Sequence, residues 1–460
     1  MKITVLNGSP KGESSITLQC VNFIRKKFPQ HKFKVFHVAK DIKKLQKDVA
    51  YFESVIDEIT GSDGVLWAFG LWVLVVSAQY MRFIELISER SAKDAFKNKY
   101  TAALSTSIHY FDHIAHNYIR SVAEDLEMKY TDVLSLDLVD LRKEDQRNNI
   151  IVFAQDFFNS IQSKSATSRL FKPLTYSTFD YQPSPANNKV NPKDKKIIVL
   201  KDTSNGNSNL EHMVNRFVQS FHPEDNVEVV QLDDIDMKGG CLGCMRCGYD
   251  NNCQYKDGFA DFYNEHVRTS DIIVFAGSVK GRFVSSTWKT FDDRTFFWNH
   301  TPSLIRKQIG YIISGPLSQT PNLIQYLEAS SHARQDSNHV DIITDESGDS
   351  LILDNLLQNF AERLIRFSEQ DYIKPKNFLG VGGHKIFRDD IWGRLRMIWQ
   401  ADHRHFKEHG KYDFPQKNYG IRIATAIMML LTKLPTFRKK FYGNLRDMPI
   451  KRMKRLIEKY

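Results

Sequence analysis

Two groups of residues in this 460-residue sequence have types and spacings that could do chemistry. The first is the polar loop Asn7-Gly8-Ser9-Pro10-Lys11-Gly12-Glu13-Ser14-Ser15-Ile16-Thr17, which follows the short apolar run Lys2–Leu6. Small residues after a strand let backbone N–H groups approach a phosphate, and the helix N-terminus beyond them adds a favourable dipole. Ser9, Ser15 and Thr17 can donate hydroxyl hydrogen bonds to that phosphate, and Lys11 can offset its charge. The plainer reading is an ordinary helix N-cap by Ser14 or Ser15. The loop lacks the GKS or GKT of triphosphate sites and the G-x-G-x-x-G of dinucleotide sites, so a mononucleotide phosphate is the better match. The second group is Cys241-x2-Cys244-x2-Cys247-x5-Cys253. Four thiolates in one short loop can hold a tetrahedral zinc or the four irons of a [4Fe–4S] cluster, whereas reduced thiols or a redox disulfide need no metal. The two-residue gaps between the first three cysteines suit a cluster, because one tight turn presents three sulfurs to one side. The fifth cysteine, Cys20, falls in a helical pattern and reads as core.

The elements that must position these groups occur twice. Lys2–Leu6 and Lys196–Leu200 are similar β-branched runs, each followed by a polar loop and a helical pattern, and they lie 194 positions apart. Further on, Ser62–Ala68 resembles Ser270–Ala276, and Ser77, Tyr80 and Phe83 match Ser285, Trp288 and Phe291, now 208 positions apart. The second copy therefore carries 14 extra residues between its first and later motifs, and the cysteine block falls among them. Repeated strand–loop–helix units of this kind predict two α/β domains with doubly wound parallel sheets, over 1–162 and 195–372. Residues 163–194, rich in Ser, Pro and Asn, read as a linker packed over the surface. Residues 373–460 have no matching copy and read as a basic helical C-terminal extension.

Composition narrows the function. Apolar residues make up 42% and charged residues 26%, a globular profile. The longest apolar stretches, Val65–Val76 and Ile423–Leu431, are shorter than the ~20 residues of a membrane span. The opening residues run straight into a strand pattern without a secretory leader, so a cytoplasmic protein is expected. Net charge is +10, but residues 433–460 hold ten Lys or Arg against two Asp or Glu. The rest is close to neutral, which argues against nucleic acid as a partner. The apolar Ile421–Leu434 followed by this basic tail suits either an anionic membrane surface or a helical extension packed on the protein or at a dimer interface.

The segments Asn7–Thr17 and Ser62–Glu85 resemble the flavodoxin-like NAD(P)H-dependent FMN reductase family. The resemblance implies that Ser9, Lys11, Ser15 and Thr17 hold the FMN phosphate. It implies that the loop Phe69-Gly70-Leu71-Trp72 flanks the flavin ring, with Gly70 where proline is usual and Trp72 where tyrosine is usual. Ser105, Thr106, Ser107 and His109 take the position that closes the other side of the ring. His113 and His116, like Asp402-His403-Arg404-His405, read as polar helix faces. The second copy is similar to the iron–sulfur flavoprotein branch through its four cysteines, although Asp202-Thr203-Ser204-Asn205 replaces the usual phosphate loop and Lys280 stands where the ring-flanking tyrosine would be. The implied activity is an NAD(P)H-dependent flavin oxidoreductase, forming homo-oligomers, that passes electrons to a small-molecule acceptor such as a quinone or flavin. The alternative is an iron–sulfur flavoprotein relaying single electrons between a ferredoxin-like donor and a redox protein partner.

Overall fold

The first half alternates strands and helices: β1 (Lys2–Asn7), α1 (Ile16–Lys27), β2 (Lys32–Phe36), α2 (Ile42–Lys47), α3 (Val49–Thr60), β3 (Gly64–Gly70), α4 (Ala78–Glu89), β4 (Tyr100–Ser107), α5 (Asp112–Asp125), β5 (Lys129–Asp137) and α6 (Glu144–Ser163). The second half runs β6 (Ile197–Lys201), α7 (Ser208–Gln219), β7 (Val227–Gln231), the short α8 (Cys247–Asp250) and α9 (Phe259–Phe262), β8 (Ile272–Ser278), α10 (Ser286–Arg294), α11 (Phe296–Asn299), β9 (Gln308–Ser314), α12 (Pro321–Ala333), β10 (Asn338–Thr344) and α13 (Ser350–Glu369). Four helices follow: α14 (Phe378–Trp392), α15 (Gln400–Glu408), α16 (Tyr419–Leu431) and α17 (Pro435–Leu445). The structure, a computed structural model, describes residues 1–186, 188–202, 208–222, 227–333, 337–413, 419–445, 450, 453–454 and 456–458. Most of the second copy's polar loop, 203–207, lies outside the described residues.

Each half forms one five-stranded parallel sheet, ordered β2-β1-β3-β4-β5 and β7-β6-β8-β9-β10. This is the flavodoxin-like doubly wound order, present twice. The continuous apolar runs explain it. β3, β4, β8 and β9 are buried along nearly their whole length, as strands covered on both faces by crossover helices must be. The outer face of each sheet has its own core, while the inner faces share one core that runs through both halves.

That shared core is built on α4 against α10. Ser77 and Ser285 cap the two helices, accepting from the Tyr80 and Trp288 N–H groups. The first N–H of each helix is then satisfied by a carboxylate of the other. Ala78 N–H donates to Asp293 Oδ2 at 2.8 Å, and Ser286 N–H donates to Glu85 Oε1 at 2.7 Å. Ala78 and Ser286, and likewise Glu85 and Asp293, are related by the 208-position repeat, so the contact is reciprocal in the manner of a two-fold dimer interface folded into one chain. Asp293 also pairs with Lys289, both fully buried. Burial pushes the Asp293 carboxyl up to about 7, with the Lys289 ammonium pulling the other way. Beside this, Arg282 donates twice to Asp125, both at 2.6 Å.

Residues 165–186 carry no helix or strand and strap the two halves together. Glu124 accepts from the Leu170 and Phe171 N–H groups, and the fully buried Tyr181 donates its hydroxyl to Asp354 at 2.5 Å. Met1–His405 form one compact unit and Phe406–Tyr460 a second, so α14 and the residues up to His405 belong with the sheets. No helix among the described residues is long and apolar enough to cross a membrane.

Removing one member of a buried ion pair strands the other charge. Asp293→Ala is therefore expected to cost about 3–5 kcal/mol, read as a lowered denaturant midpoint. Lys289→Met combined with Asp293→Leu should cost less than Asp293→Ala alone.

Candidate active site

The C-terminal ends of β1, β3 and β4 open into a cavity of about 350 Å³. Ser9, Lys11, Ser15 and Thr17 line one end, and Gly70, Leu71, Trp72, Thr106 and Ser107 line another part of the wall. The loop takes this shape because Gly12 sits at φ +57°, where a Cβ would also meet Lys40 at 2.5 Å. Ser15 caps α1, so the helix N-terminus faces the loop hydroxyls. Thr17 Oγ1 and Thr106 Oγ1 are 2.6 Å apart and join α1 to the end of β4.

Three expected site residues are not on the cavity wall. Phe69 is buried against Tyr80 and His116. Ser105 is buried, with its hydroxyl 2.7 Å from His116 Nε2, so His116 is no simple surface residue. His109, at φ +60°, pairs with Asp112 at 3.0 Å.

Trp72 is held from three sides. Its backbone starts a tight turn in which Trp72 N–H donates to Val75 O at 2.7 Å. The second half's Lys289 donates to Trp72 O at 3.0 Å. The indole lies over Gly243, at φ +61°, where a Cβ would stand 2.2 Å from the ring. The turn between Trp72 and Val75 places Val73 at φ +36° and Leu74 at φ +72°. Two-residue turns of this type favour Asn-Gly, and a β-branched residue there is strained. The equivalent turn of the second half, Lys280–Phe283, has Gly281 at φ +62° in the Val73 place. Strain of this kind, lining a cavity, marks a shape that the surroundings enforce.

The rest of the wall comes from parts of the chain where no sequence signal pointed to this site. Cys241, Gly243, Met245, Phe296 and Asn299 enter from the second half, and Leu379, His384, Phe387, Ile398 and Trp399 come from the region after residue 373. Lys11 lies toward this side. Its ammonium is 5.8 Å from the Trp72 ring centre, and burial lowers its pKa while Cys241 and Cys244 oppose the shift.

A second cavity, of about 30 Å³, shares Cys241, Gly243, Met245 and Phe296 with the first. Cys241, Cys244, Cys247 and Cys253 all line it, together with the buried Arg294. Burial pushes the Cys241 thiol up to about 11, against hydrogen bonds from Gly243 N–H and the Trp72 side chain. Cys247 lies 3.3 Å from His300 Nε2, and His300 Nδ1 lies 2.7 Å from Asp402. All three residues are buried, which corrects the reading of Asp402 as part of a polar helix surface. Among the described residues, no three His, Cys, Asp or Glu side chains converge so as to hold a metal ion. A single zinc needs every sulfur about 2.3 Å from one point.

Because Val73 occupies a glycine conformation, Val73→Gly is expected to leave the denaturation midpoint unchanged or raise it. Val75→Gly, at a fully buried position of the same turn, should cost roughly 2–4 kcal/mol by the same measurement.

The family model described as NADPH-dependent FMN reductase matches residues 1–142. Among solved structures, the chain is similar to FerB, a flavoenzyme NAD(P)H:(acceptor) oxidoreductase from Paracoccus denitrificans, at 15% identity and TM-score 0.30, covering 35% of this chain and 97% of that one. It is also similar to the general stress protein 14 of Treponema denticola in complex with FMN, at 12% identity and TM-score 0.26, covering 36% of this chain and 99% of that one. A third is an NADPH-quinone reductase from P. pentosaceus, at 12% identity and TM-score 0.27, covering 34% of this chain and 96% of that one. No curated protein matches the chain. The family resemblance is thus carried by the first half, whose strand-end loops form one end of the cavity.

Proposed function

We propose that the chain is an NAD(P)H-dependent FMN oxidoreductase with one flavin site, in its first half. The observation that carries this reading is the single cavity into which Ser9, Lys11, Ser15, Thr17 and the Gly70–Leu74 turn all open. Its volume is in the range of cofactor sites. Ser9, Ser15 and Thr17 would hold the FMN phosphate at the α1 N-terminus, with Lys11 adding positive charge from the cysteine side. Trp72, Thr106 and Ser107 would frame the ring. Bound FMN supplies the redox chemistry, accepting hydride from a nicotinamide and releasing electrons one or two at a time. The protein's part is to orient and to exclude water. Tyr110, Leu379, Phe387 and Trp399 supply an apolar aromatic wall where a flat small-molecule acceptor, such as a quinone or a second flavin, can stack.

The second half is a poor phosphate site. Asp202 is buried there and accepts from Ser285, while Asp345 takes up the Ser314 hydroxyl and the Gly315 N–H. Ser314 stands where Thr106 stands in the first half, each paired with the last residue of the preceding strand in the sheet. Asp202, directly after β6, puts a buried carboxylate where the first half has its hydroxyl loop, and its charge opposes a phosphate dianion.

The cysteine cavity favours a second component, a [4Fe–4S] cluster held by Cys241, Cys244, Cys247 and Cys253. Cys241, Gly243, Met245 and Phe296 line both cavities, so a cluster held there would supply one-electron chemistry next to the flavin site. A ferredoxin-like protein is the partner this component calls for.

Anaerobic purification with flavin, iron and sulfide measured on one sample tests both components. The expected result is one FMN per chain, bleached by NAD(P)H, with about four irons. Ser9→Ala with Lys11→Ala should weaken FMN binding by at least about tenfold, as loss of charge-assisted hydrogen bonds implies. Absence of flavin after reconstitution would overturn the oxidoreductase reading. Flavin without iron would leave the reductase and remove the cluster.

A further inference from the structure

We infer that the C-terminal segment docks the chain onto an anionic lipid bilayer. The inference is independent of the flavin reading. In α16 no residue is buried, and Tyr419, Ile421, Ile423, Ile427, Met429 and Leu430 each expose more than half of their surface. Exposed apolar surface of this extent needs a partner. Its distribution indicates which kind. Ile423, Ile427, Leu430 and Leu431 recur at helical spacing along one side of α16, with Arg422 and Thr425 on the other, the pattern of a helix that lies half-immersed in a bilayer boundary. At 13 residues α16 is about 20 Å long, short of the ~30 Å hydrocarbon core, so it can lie in the bilayer boundary but not cross it.

The charges beside it select the lipid. Exposed Arg438, Lys439 and Lys440 follow in α17, lying in sequence between Phe437 and Phe441, whose rings stack. Further on, Ile450, Met453 and Ile457 recur at helical spacing and are exposed. Lys451, Arg452, Lys454 and Arg455 alternate with them in sequence. Residues 433–460 carry ten basic and two acidic side chains. Basic residues interleaved with large apolar ones make a surface that gains from headgroup charge and from acyl-chain burial together. A polyanion such as RNA would use the charges and leave α16 in water. A second copy of the chain would bring the same positive charge to the contact and repel it.

Flotation of the full-length protein with lipid vesicles tests this. Vesicles of phosphatidylcholine with one third phosphatidylglycerol should carry the protein upward, and pure phosphatidylcholine should bind it at least about tenfold more weakly. High salt should release it from the anionic vesicles in part. Ile423→Asp with Ile427→Asp should abolish flotation, and Lys439→Glu with Lys440→Glu should weaken it at least about tenfold. Unchanged thermal unfolding of both variants would show that the fold is intact. No flotation with anionic vesicles, or equal flotation with neutral ones, overturns the proposal. So does undiminished vesicle binding by the Ile423→Asp, Ile427→Asp variant, which would make the tail a polyanion binder. A dimer in solution that this variant splits, with vesicle binding unaltered, would assign the apolar helix to a second copy instead.

Discussion

The two helix N-termini at the centre of the molecule cannot be left without partners in a water-free core, and each is satisfied by a carboxylate from the other half. Glu85 and Asp293 accept the first N–H groups of α10 and α4, and this exchange locks the halves into one arrangement. A helix end carries partial positive charge, so a buried carboxylate there is compensated by the dipole as well as by the hydrogen bond. The arrangement then places the second half's loops against the first half's strand ends. Without it Gly243 would not lie under Trp72, and Lys289 would not reach the Trp72 carbonyl.

The two halves share the reciprocal contact but differ at their strand ends. The first half retains hydroxyls and a lysine at the loop after β1, and it holds Val73 in a conformation that costs energy. The second half relaxes the same turn with Gly281, buries Asp202 and Asp345 near its strand ends, and uses its extra residues to supply four thiols. Lys280, at the place of Trp72, is turned outward to Glu89 across the interface, so the position that lines the cavity in one half joins the halves in the other. The strand ends of one half thus open into the cavity, and loops of the other complete its wall.

Much of the fold was readable from local pattern. Continuous β-branched runs specify strands buried on both faces, and their spacing leaves room only for crossover helices, which makes the sheets parallel. The 194- and 208-position repeats foretold two sheets of one topology, and the hydroxyls of the β1 loop did meet Trp72 and Thr106 at one cavity. What the pattern misjudged were residues whose setting depends on distant chain. Ser105 precedes Thr106 in β4 and His109 follows that strand, but strand alternation turns the first and a left-handed backbone the second away from the cavity. Asp402 looks like any polar helix residue in sequence, yet its partner His300 is a hundred positions earlier and both are buried.

Residues close together in the chain were enough to specify the parallel sheets, the repeated strand pattern, the hydroxyls at the end of β1 and the clustering of four cysteines. The tertiary structure alone decided that the cysteine loop and the loop after β3 share a wall, that α14 and Trp399 close the same cavity, and that one half's carboxylates cap the other's helices. These are pairings over a hundred or more positions. Local propensity carries no record of them, because they follow from which apolar faces bury each other and from which buried polar groups remain to be satisfied when they do.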